Sequence, residues 1–453
     1  ARMSSIRLLV SLAAIHDMKI EQLDVANAYL NGTLEEKVFM RPPTNLANIL
    51  ESIIQKRGRS SVVGEKAARM LEDFRDGKQI CHLQKSLYGL RQSGRSWHMM
   101  LDKVLRKLGA IPTNADPCVY CVGRGEDATM VVIYVDDILI MSRDSNRIKQ
   151  FREKLCKEFE VKKLGNVGYC LGVEFEVEKS KITMHQRGYI LDLLKRFGME
   201  NCNPISTPMD PQTKLVKPTT AEEVKNFPYR ELIGGLTYLA ITTRPDISHA
   251  VSSLGQFNNC HGKVHWTAAK RVLRYLRGTL NYGLVYTNCP DPVRGYADAD
   301  WANCAIDRRS YTGYVFMLAE GPIPWDSRKQ KTVALSSTEA EYMALTEAAK
   351  EATFIQKFLL ELGFAQLSQM VLFSDNQGAL RLAQYPVYHA RSKHIDLRHH
   401  YIREVVKNDS LTIQHVPSED MIGDIFTKGL ASIKHGSFTE RLDLAQPRVE
   451  GKC

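Results

Sequence analysis

Residues 130–141 read M-V-V-I-Y-V-D-D-I-L-I-M, two apolar runs that meet at a pair of adjacent aspartates. Val131, Val132, Ile133, Tyr134, Val135 and Ile138 are β-branched or aromatic, which favours strands over a buried helix. Neighbouring residues on a regular strand point to opposite faces, so Asp136 and Asp137 can serve one site only if the strand breaks between them, as at a tight hairpin. Two ionised carboxylates in an apolar hairpin are strongly unfavourable unless a cation meets them, and a divalent metal is the natural partner. An ordinary hairpin with its Asp-Asp turn in water accounts for the same residues, and for an isolated pair it is the commoner case.

Tyr134-Val135-Asp136-Asp137 resembles the YxDD box of reverse transcriptases, and the surrounding residues resemble the copia type of LTR retrotransposon. In that family the aspartates sit at the turn of a palm hairpin. The resemblance runs in order from Arg2 to Leu430.

At 453 residues the chain has room for two or three domains, and its 44% hydrophobic and 25% charged residues are those of a soluble globular protein. A formal charge of +10, spread over the whole length, favours a polyanionic partner. Ten scattered cysteines suit a reducing compartment, and the single C-x-x-C, Cys118 and Cys121, lacks the second pair a zinc site needs. No signal peptide is visible, and the apolar stretch 8–15 is too short to cross a bilayer. A soluble intracellular protein with no membrane partner is expected, and the family implies a cytoplasmic virus-like particle or the nucleus. The opening Ala1-Arg2-Met3 runs straight into a helical pattern, as expected of a fragment of a longer polypeptide.

Residues 4–16 have helical spacing, and 19–23 form a short strand that delivers Asp24. Taken alone, Asp24 suits a helix cap. The segment Gln22–Leu30 resembles the first catalytic box of reverse transcriptases, which implies that Asp24 is a third metal ligand. Tyr29 then stands where the family has an aromatic under the nucleotide sugar, a wall against the ribose 2′-hydroxyl. Residues 45–76 are polar and helical, with Lys56, Arg57 and Arg59, and read as a surface insertion. Lys85–Ser93 resembles the box that contacts template and incoming nucleotide. Tyr88, Gly89, Arg91 and Gln92 are its candidate contacts, with Gly89 permitting close backbone approach and Arg91 a phosphate contact. Gly94 stands where the family commonly has proline, which implies a looser turn. Residues 148–158 form an amphipathic helix, and Lys162 or Lys163 is either a proton donor to pyrophosphate or part of a solvated edge. After a linker at 201–220, the helix 265–279 sets Lys270, Arg274 and Arg277 along one face, suited either to a duplex backbone or to plain solvation.

A second acidic set follows. Residues 294–297 form a strand ending in Asp298, strands are expected at 311–318 and 332–335, and Gly321-Pro322 marks the turn between them. A helix begins with a capping box of Ser336 and Glu339 and stops at Gly363. Glu341 lies on its core-facing stripe with Leu345, Ala348 and Ala352, whereas Glu339 and Glu347 face solvent. Strand 371–374 delivers Asp375, and strand 411–416 is followed by Ser418, a candidate cap for a helix carrying Asp424. The order Asp298, Glu341, Asp375, Asp424 in a β-β-β-α-β-α pattern resembles the ribonuclease H domain that follows copia-type reverse transcriptases. The mobile histidine of cellular ribonucleases H is replaced by Pro417-Ser418-Glu419-Asp420, and His415 lies within the strand. Lys393 and His394, beside His399 and His400, are candidate nucleic-acid contacts.

The resemblance implies an α+β reverse transcriptase palm and thumb or connection region followed by an α/β ribonuclease H-like domain, a mixed sheet flanked by helices. The expected boundaries are 1–178 for the palm, 179–290 for the connection, 291–432 for ribonuclease H and 433–453 for a tail. Asp24, Asp136 and Asp137 at one site, and the later quartet at the other, would each hold two Mg2+ ions, with Mn2+ as a substitute. Implied partners are an RNA template, a DNA primer, RNA–DNA hybrid, dNTPs and other Pol segments such as integrase and protease. Family members carry a fingers region before the segment matching Arg2, so poor polymerisation by this chain is expected. The competing reading is a decayed or domesticated remnant that binds nucleic acid without catalysis. All seven carboxylates being present argues against it.

Overall fold

A computed structural model describes residues 1–75, 80–218, 227–304, 306–384, 401–402, 404–406 and 411–444. Two units result. The first comprises Ala1–Asp24, Ala110–Glu153 and the described residues of Lys163–Cys453; the second comprises the described residues of Val25–Gly109 with Lys154–Lys162.

The first unit opens with helix α1 (Met3–Ile15), in which every residue from Ser5 to Ile15 is buried. A helix apolar nearly all round must be enclosed on all sides. Its side chains join one core with those of the first sheet and of a second, five-stranded sheet described below. The one cation on this buried stretch, Arg7, donates from Nη1 to the carbonyls of Ile241 and Thr242 at 2.8 and 2.9 Å and lies 3.7 Å over the Trp325 ring, while its buried Nε meets no acceptor among the described residues.

Strand β1 (Lys19–Val25) is followed by β2 (Val119–Val122), β3 (Thr129–Tyr134) and β4 (Asp137–Ser142) in a six-stranded sheet. Its order is Ile111–Pro112, β2, β3, β4, β1, Val161–Asn166. The apolar runs flanking the aspartates are β3 and β4, buried along nearly their whole length, as their composition requires. Strand β1 pairs antiparallel with β4, from Lys19 opposite Ser142 to Asp24 opposite Asp137.

Helices α2 (Tyr229–Thr242) and α3 (Lys263–Gly278) belong to a separate apolar cluster. Beneath them Arg244 and Asp246 form an ion pair with no exposure, completed by the Tyr275 hydroxyl on Asp246 and by Thr279 on Arg244. Every partner is met inside, which is what allows two charges to be buried there.

The second large sheet comprises β5 (Arg294–Ala299), β6 (Tyr311–Leu318), β7 (Gly321–Lys329), then, after helix α4 (Ser337–Leu362), β8 (Met370–Ser374) and β9 (Leu411–His415). The order is β7-β6-β5-β8-β9, antiparallel among the first three and parallel from β5 to β9. This is the expected mixed sheet, with one correction. The third strand is Gly321–Lys329, and residues 332–335 precede the helix without being a strand. The turn lies at Ala319 and Glu320, both at positive φ (54° and 67°), so neither carries the usual glycine signal. Gly321 and Pro322 open the strand, and Pro322 is tolerated because β7 is an edge.

In the second unit the helices Leu46–Arg57 and Val62–Arg75 bury Leu50, Ala67 and Leu71 together. Helix Ser93–Lys107 contains Gly94 in its first turn and sets Trp97 edge-on against Phe159 at 5.1 Å. Among the described residues, no helix is long and apolar enough to cross a membrane.

Candidate active sites

The hairpin of β3 and β4 is closed by Tyr134 opposite Asp137, leaving Val135 and Asp136 as a two-residue loop. Val135 has φ +56°, a conformation in which hairpins ordinarily place glycine. That turn interrupts the strand between the two aspartates, but among the described residues Asp24, Asp136 and Asp137 do not all bring an oxygen within 4.8 Å of one another. Asp24 and Asp137 are direct cross-strand partners, so their side chains share a face, and Asp136 sits at the adjoining turn. All three are part-buried. Gln22 donates from Nε2 to Asp137 Oδ1 at 3.0 Å. Partial burial pushes the Asp137 carboxyl above its usual range; the Gln22 hydrogen bond opposes this, and the Asp24 and Asp136 carboxylates add to it.

The expected nucleotide contacts lie in the second unit. Tyr29, on the short helix Ala28–Asn31, packs against Tyr88 with ring centroids 4.7 Å apart, and Ser86 donates its hydroxyl to the Tyr29 carbonyl. Gly89 takes φ +98° with open space where a side chain would stand. Arg91 is exposed and Gln92 part-buried at the start of helix Ser93–Lys107.

The second acidic set gathers at the five-stranded sheet of β5 to β9. Asp298 lies in β5, opposite Gly313 of β6, and is 1% exposed. A Cβ at Gly313 would meet Phe426 at 2.6 Å, and one at Gly423 would meet the Asp298 Cβ at 2.8 Å. Only glycine at both places lets the turn Ile422–Phe426 lie close over Asp298. Glu341, 7% exposed on α4, accepts from the Ala299 amide at 3.2 Å. Asp375 follows β8 and accepts from the Ser418 hydroxyl at 2.6 Å. One oxygen from each of Asp298, Glu341 and Asp375 lies within 4.8 Å of the others.

Asp424 is also 1% exposed, but its oxygens face cations: Lys428 Nζ stands 2.6 Å from Oδ1 and Lys434 Nζ 2.6 Å from Oδ2. Lys428 Nζ is also 3.9 Å from Asp298 Oδ2, and Thr427 donates its hydroxyl to that carboxylate. Burial pushes Asp298 up to about 7, with Asp424 and Asp375 adding to the rise and Lys428 opposing it. Burial, then Asp298 and Asp375, hold Glu341 well above the carboxylate range. Burial works against the Lys428 charge, yet Asp298 and Asp424 outweigh it and keep that ammonium above its usual range. A set of crowded oxygen donors with an excess of negative charge fits a hard divalent cation such as Mg2+.

Two local expectations change. Glu339 is buried, because its carboxylate turns back to accept from the Leu335 amide at 2.8 Å while Ser336 caps the helix. Ser418 holds Asp375 and caps nothing; the turn bearing Asp424 begins after Met421 without a side-chain cap. On α3, Arg274 and Arg277 donate from Nε to the carbonyls of Asn203 and Glu200 at 2.8 and 2.9 Å, and Lys270 lies 5.9 Å over the Trp266 ring. Lys393 and His394, with His399 and His400, lie outside the described residues. Sequence reasoning passed over Lys428 and Lys434. The spacing of Lys428 four residues after Asp424 was the available signal, and nothing local marked Lys434.

The family described as reverse transcriptase (RNA-dependent DNA polymerase) matches residues 1–73 and 70–211. Over 436 residues the chain is 40% identical to the retrovirus-related Pol polyprotein from transposon TNT 1-94 of Nicotiana tabacum, covering 94% of this chain and 31% of that protein. Over 444 residues it is 35% identical to the corresponding polyprotein from transposon RE1 of Arabidopsis thaliana, covering 98% of this chain and 28% of the relative. The chain thus spans less than a third of the length of these relatives. A solved foamy viral protease–reverse transcriptase in complex with RNA/DNA hybrid aligns with 88% of this chain and 44% of its own, at TM-score 0.44 and 10% identity.

Proposed function

The chain belongs to the retrovirus-related Pol polyproteins of copia-type transposons, with a reverse transcriptase region and a ribonuclease H-like domain, and from that premise we propose that it copies RNA into DNA and cuts the RNA strand of the resulting hybrid. The observation that carries this reading is the convergence of Asp298, Glu341 and Asp375 from three separate elements onto one small volume.

Asp24, Asp136 and Asp137 would hold Mg2+ at the hairpin, and Asp298, Glu341 and Asp375, joined by Asp424, would hold it in the sheet. Divalent ions so bound, two at each site, activate the attacking oxygen and neutralise charge at the leaving one. The chain's own residues do the positioning. The Val135 turn is proposed to direct Asp136 towards Asp24 and Asp137, and Gln22 to orient the Asp137 carboxylate. The Ala299 amide and the Ser418 hydroxyl fix one oxygen each of Glu341 and Asp375. Tyr29, backed by Tyr88, is proposed to exclude ribonucleotides from the dNTP site, with Gly89, Arg91 and Gln92 contacting nucleotide and template. RNA template, DNA primer and hybrid are the proposed substrates, and integrase and protease segments the proposed neighbours in a longer parent.

The test is cleavage of a labelled RNA–DNA hybrid by the purified chain, with and without Mg2+, beside Asp375→Asn. Metal-dependent cutting lost in the variant is expected. Binding of the hybrid without cutting, in a folded chain, would overturn the ribonuclease reading and favour a non-catalytic remnant.

A further inference from the structure

We propose that Lys428 and Lys434 gate the fourth carboxylate, competing with a second divalent cation for Asp424, so that the buried site takes one ion readily and another only once the ammonium groups have left. The inference rests on the ribonuclease reading and concerns the order in which that site fills.

The oxygens of Asp424 are already engaged. Lys428 meets Oδ1 and Lys434 meets Oδ2, each at 2.6 Å, and Lys428 also reaches towards Asp298 Oδ2 at 3.9 Å. A divalent ion joining Asp424 to Asp298 would have to stand where Lys428 stands, and two cations at such separations repel strongly in a buried setting. Glu341 and Asp375 differ: among the described residues, no lysine or arginine lies within ion-pair distance of either, so two of the trio's three carboxylates are open to a first ion and the third, Asp298, meets Lys428 only at 3.9 Å.

The two lysines are also built to leave. Asp424 is fixed and buried, but both lysine side chains are 38% exposed, so their four-carbon stems can carry the charge into water without moving the backbone. Lys434 comes from the following helix, Ser432–Arg441, and also donates to the Ser418 carbonyl at 3.3 Å. Because the Ser418 hydroxyl binds Asp375, release of Lys434 is felt by the loop that orients the first ion's ligand. An ion that binds only when the lysines are away has its apparent affinity reduced by the fraction of time they are away.

The test is Mn2+ titration by calorimetry, with thermal melting in parallel, on the full chain carrying Asp136→Asn and Asp137→Asn so that the hairpin does not contribute ions. In that background the first ion is expected to bind at least about tenfold more tightly than the second. Lys428→Met with Lys434→Met is expected to tighten the second ion by about tenfold and to change the first by much less. Lys434→Met alone, which keeps a charge on Asp424, gives a smaller gain in the same direction and decides the matter if the double variant does not fold. Lys428→Arg keeps the melting temperature and keeps the second ion weak. Equal second-ion affinity with and without the lysines overturns the gate while leaving the ribonuclease reading intact. A first ion indifferent to Asp375→Asn overturns that reading, and the gate with it.

Discussion

At the hairpin, Asp24, Asp136 and Asp137 stand part-buried with Gln22 donating a hydrogen bond to Asp137, whereas in the second sheet Asp298, Glu341 and Asp424 are buried and two lysines are drawn in among them. Water screens the first set, so its acids need little from the fold beyond a bent strand. The second set has lost that screening, and burial lifts Asp298 to about 7 and Glu341 well above its range. Three neighbouring carboxylates therefore carry a larger stability cost in the second sheet than at the hairpin, where partial burial raises Asp137.

The sharpest way to separate the sites is chemical. Asp298→Asn is expected to lower hybrid cleavage by roughly a thousandfold or more, because it removes a ligand at the centre of the trio. Asp137→Asn is expected to lower any primer extension by a similar factor, measured with labelled primer and dNTPs. Loss of both activities from either substitution would break the comparison by showing one shared site.

Next in size is the effect on the fold itself. At pH 8 in EDTA, Asp298→Asn should stabilise the chain by about 1–3 kcal/mol, since it removes a buried charge that the site only partly compensates. Asp136→Asn, at a part-buried turn, should shift stability by less, within about 1 kcal/mol. Thermal melting of the two variants against the parent measures both, and equal shifts would remove the contrast in burial cost.

The pH dependence follows with its sign. Between its ordinary value of 3.8 and about 7, folded Asp298 holds a proton that the unfolded chain has released, so its contribution to stability is lost as pH rises through that window. Asp300, lifted to about 6 by burial, acts in the same direction. Buried His249, pushed down to about 4, acts oppositely: its stability is present above pH 6.5 and lost as pH falls. Mg2+ answers only the carboxylate part. The rise in melting temperature on adding Mg2+ should therefore be larger at pH 8 than at pH 6, and Asp298→Asn should shrink that difference.

Much of this was legible from side-chain pattern. The β-branched runs around Asp136 and Asp137 could only be paired strands, and Glu341 on an apolar stripe could only point inward. Elements fixed by long-range packing were not legible. Pro322 reads as a turn until β7 is seen to be an edge, and nothing in Ala319-Glu320 marks the turn that sets both at positive φ. Glu339 looked solvent-facing because its neighbour's free amide is visible only once the helix start is built. Lys434 was invisible for a similar reason: its partner, Asp424, lies ten residues away on a different element.

The smallest effect tests the hairpin's own device. Val135 holds φ +56°, where an L-residue pays about 1–2 kcal/mol, and β-branching makes it less suited still. Asp298, Glu341, Asp375 and Asp424 all keep negative φ, so strain of this kind belongs to the hairpin alone of the two sites. Val135→Gly removes the clash but adds freedom to the unfolded chain, roughly 0.5–1 kcal/mol, so the net gain in stability should be at most about 1 kcal/mol. Primer extension should nevertheless fall, because a glycine turn no longer confines Asp136 to the orientation beside Asp24 and Asp137. Hybrid cleavage reads the other sheet and is the internal control. If Val135→Gly raises stability and leaves extension untouched, the bent strand is tolerated strain with no part in aiming the carboxylates, and the hairpin differs from the buried site in exposure alone.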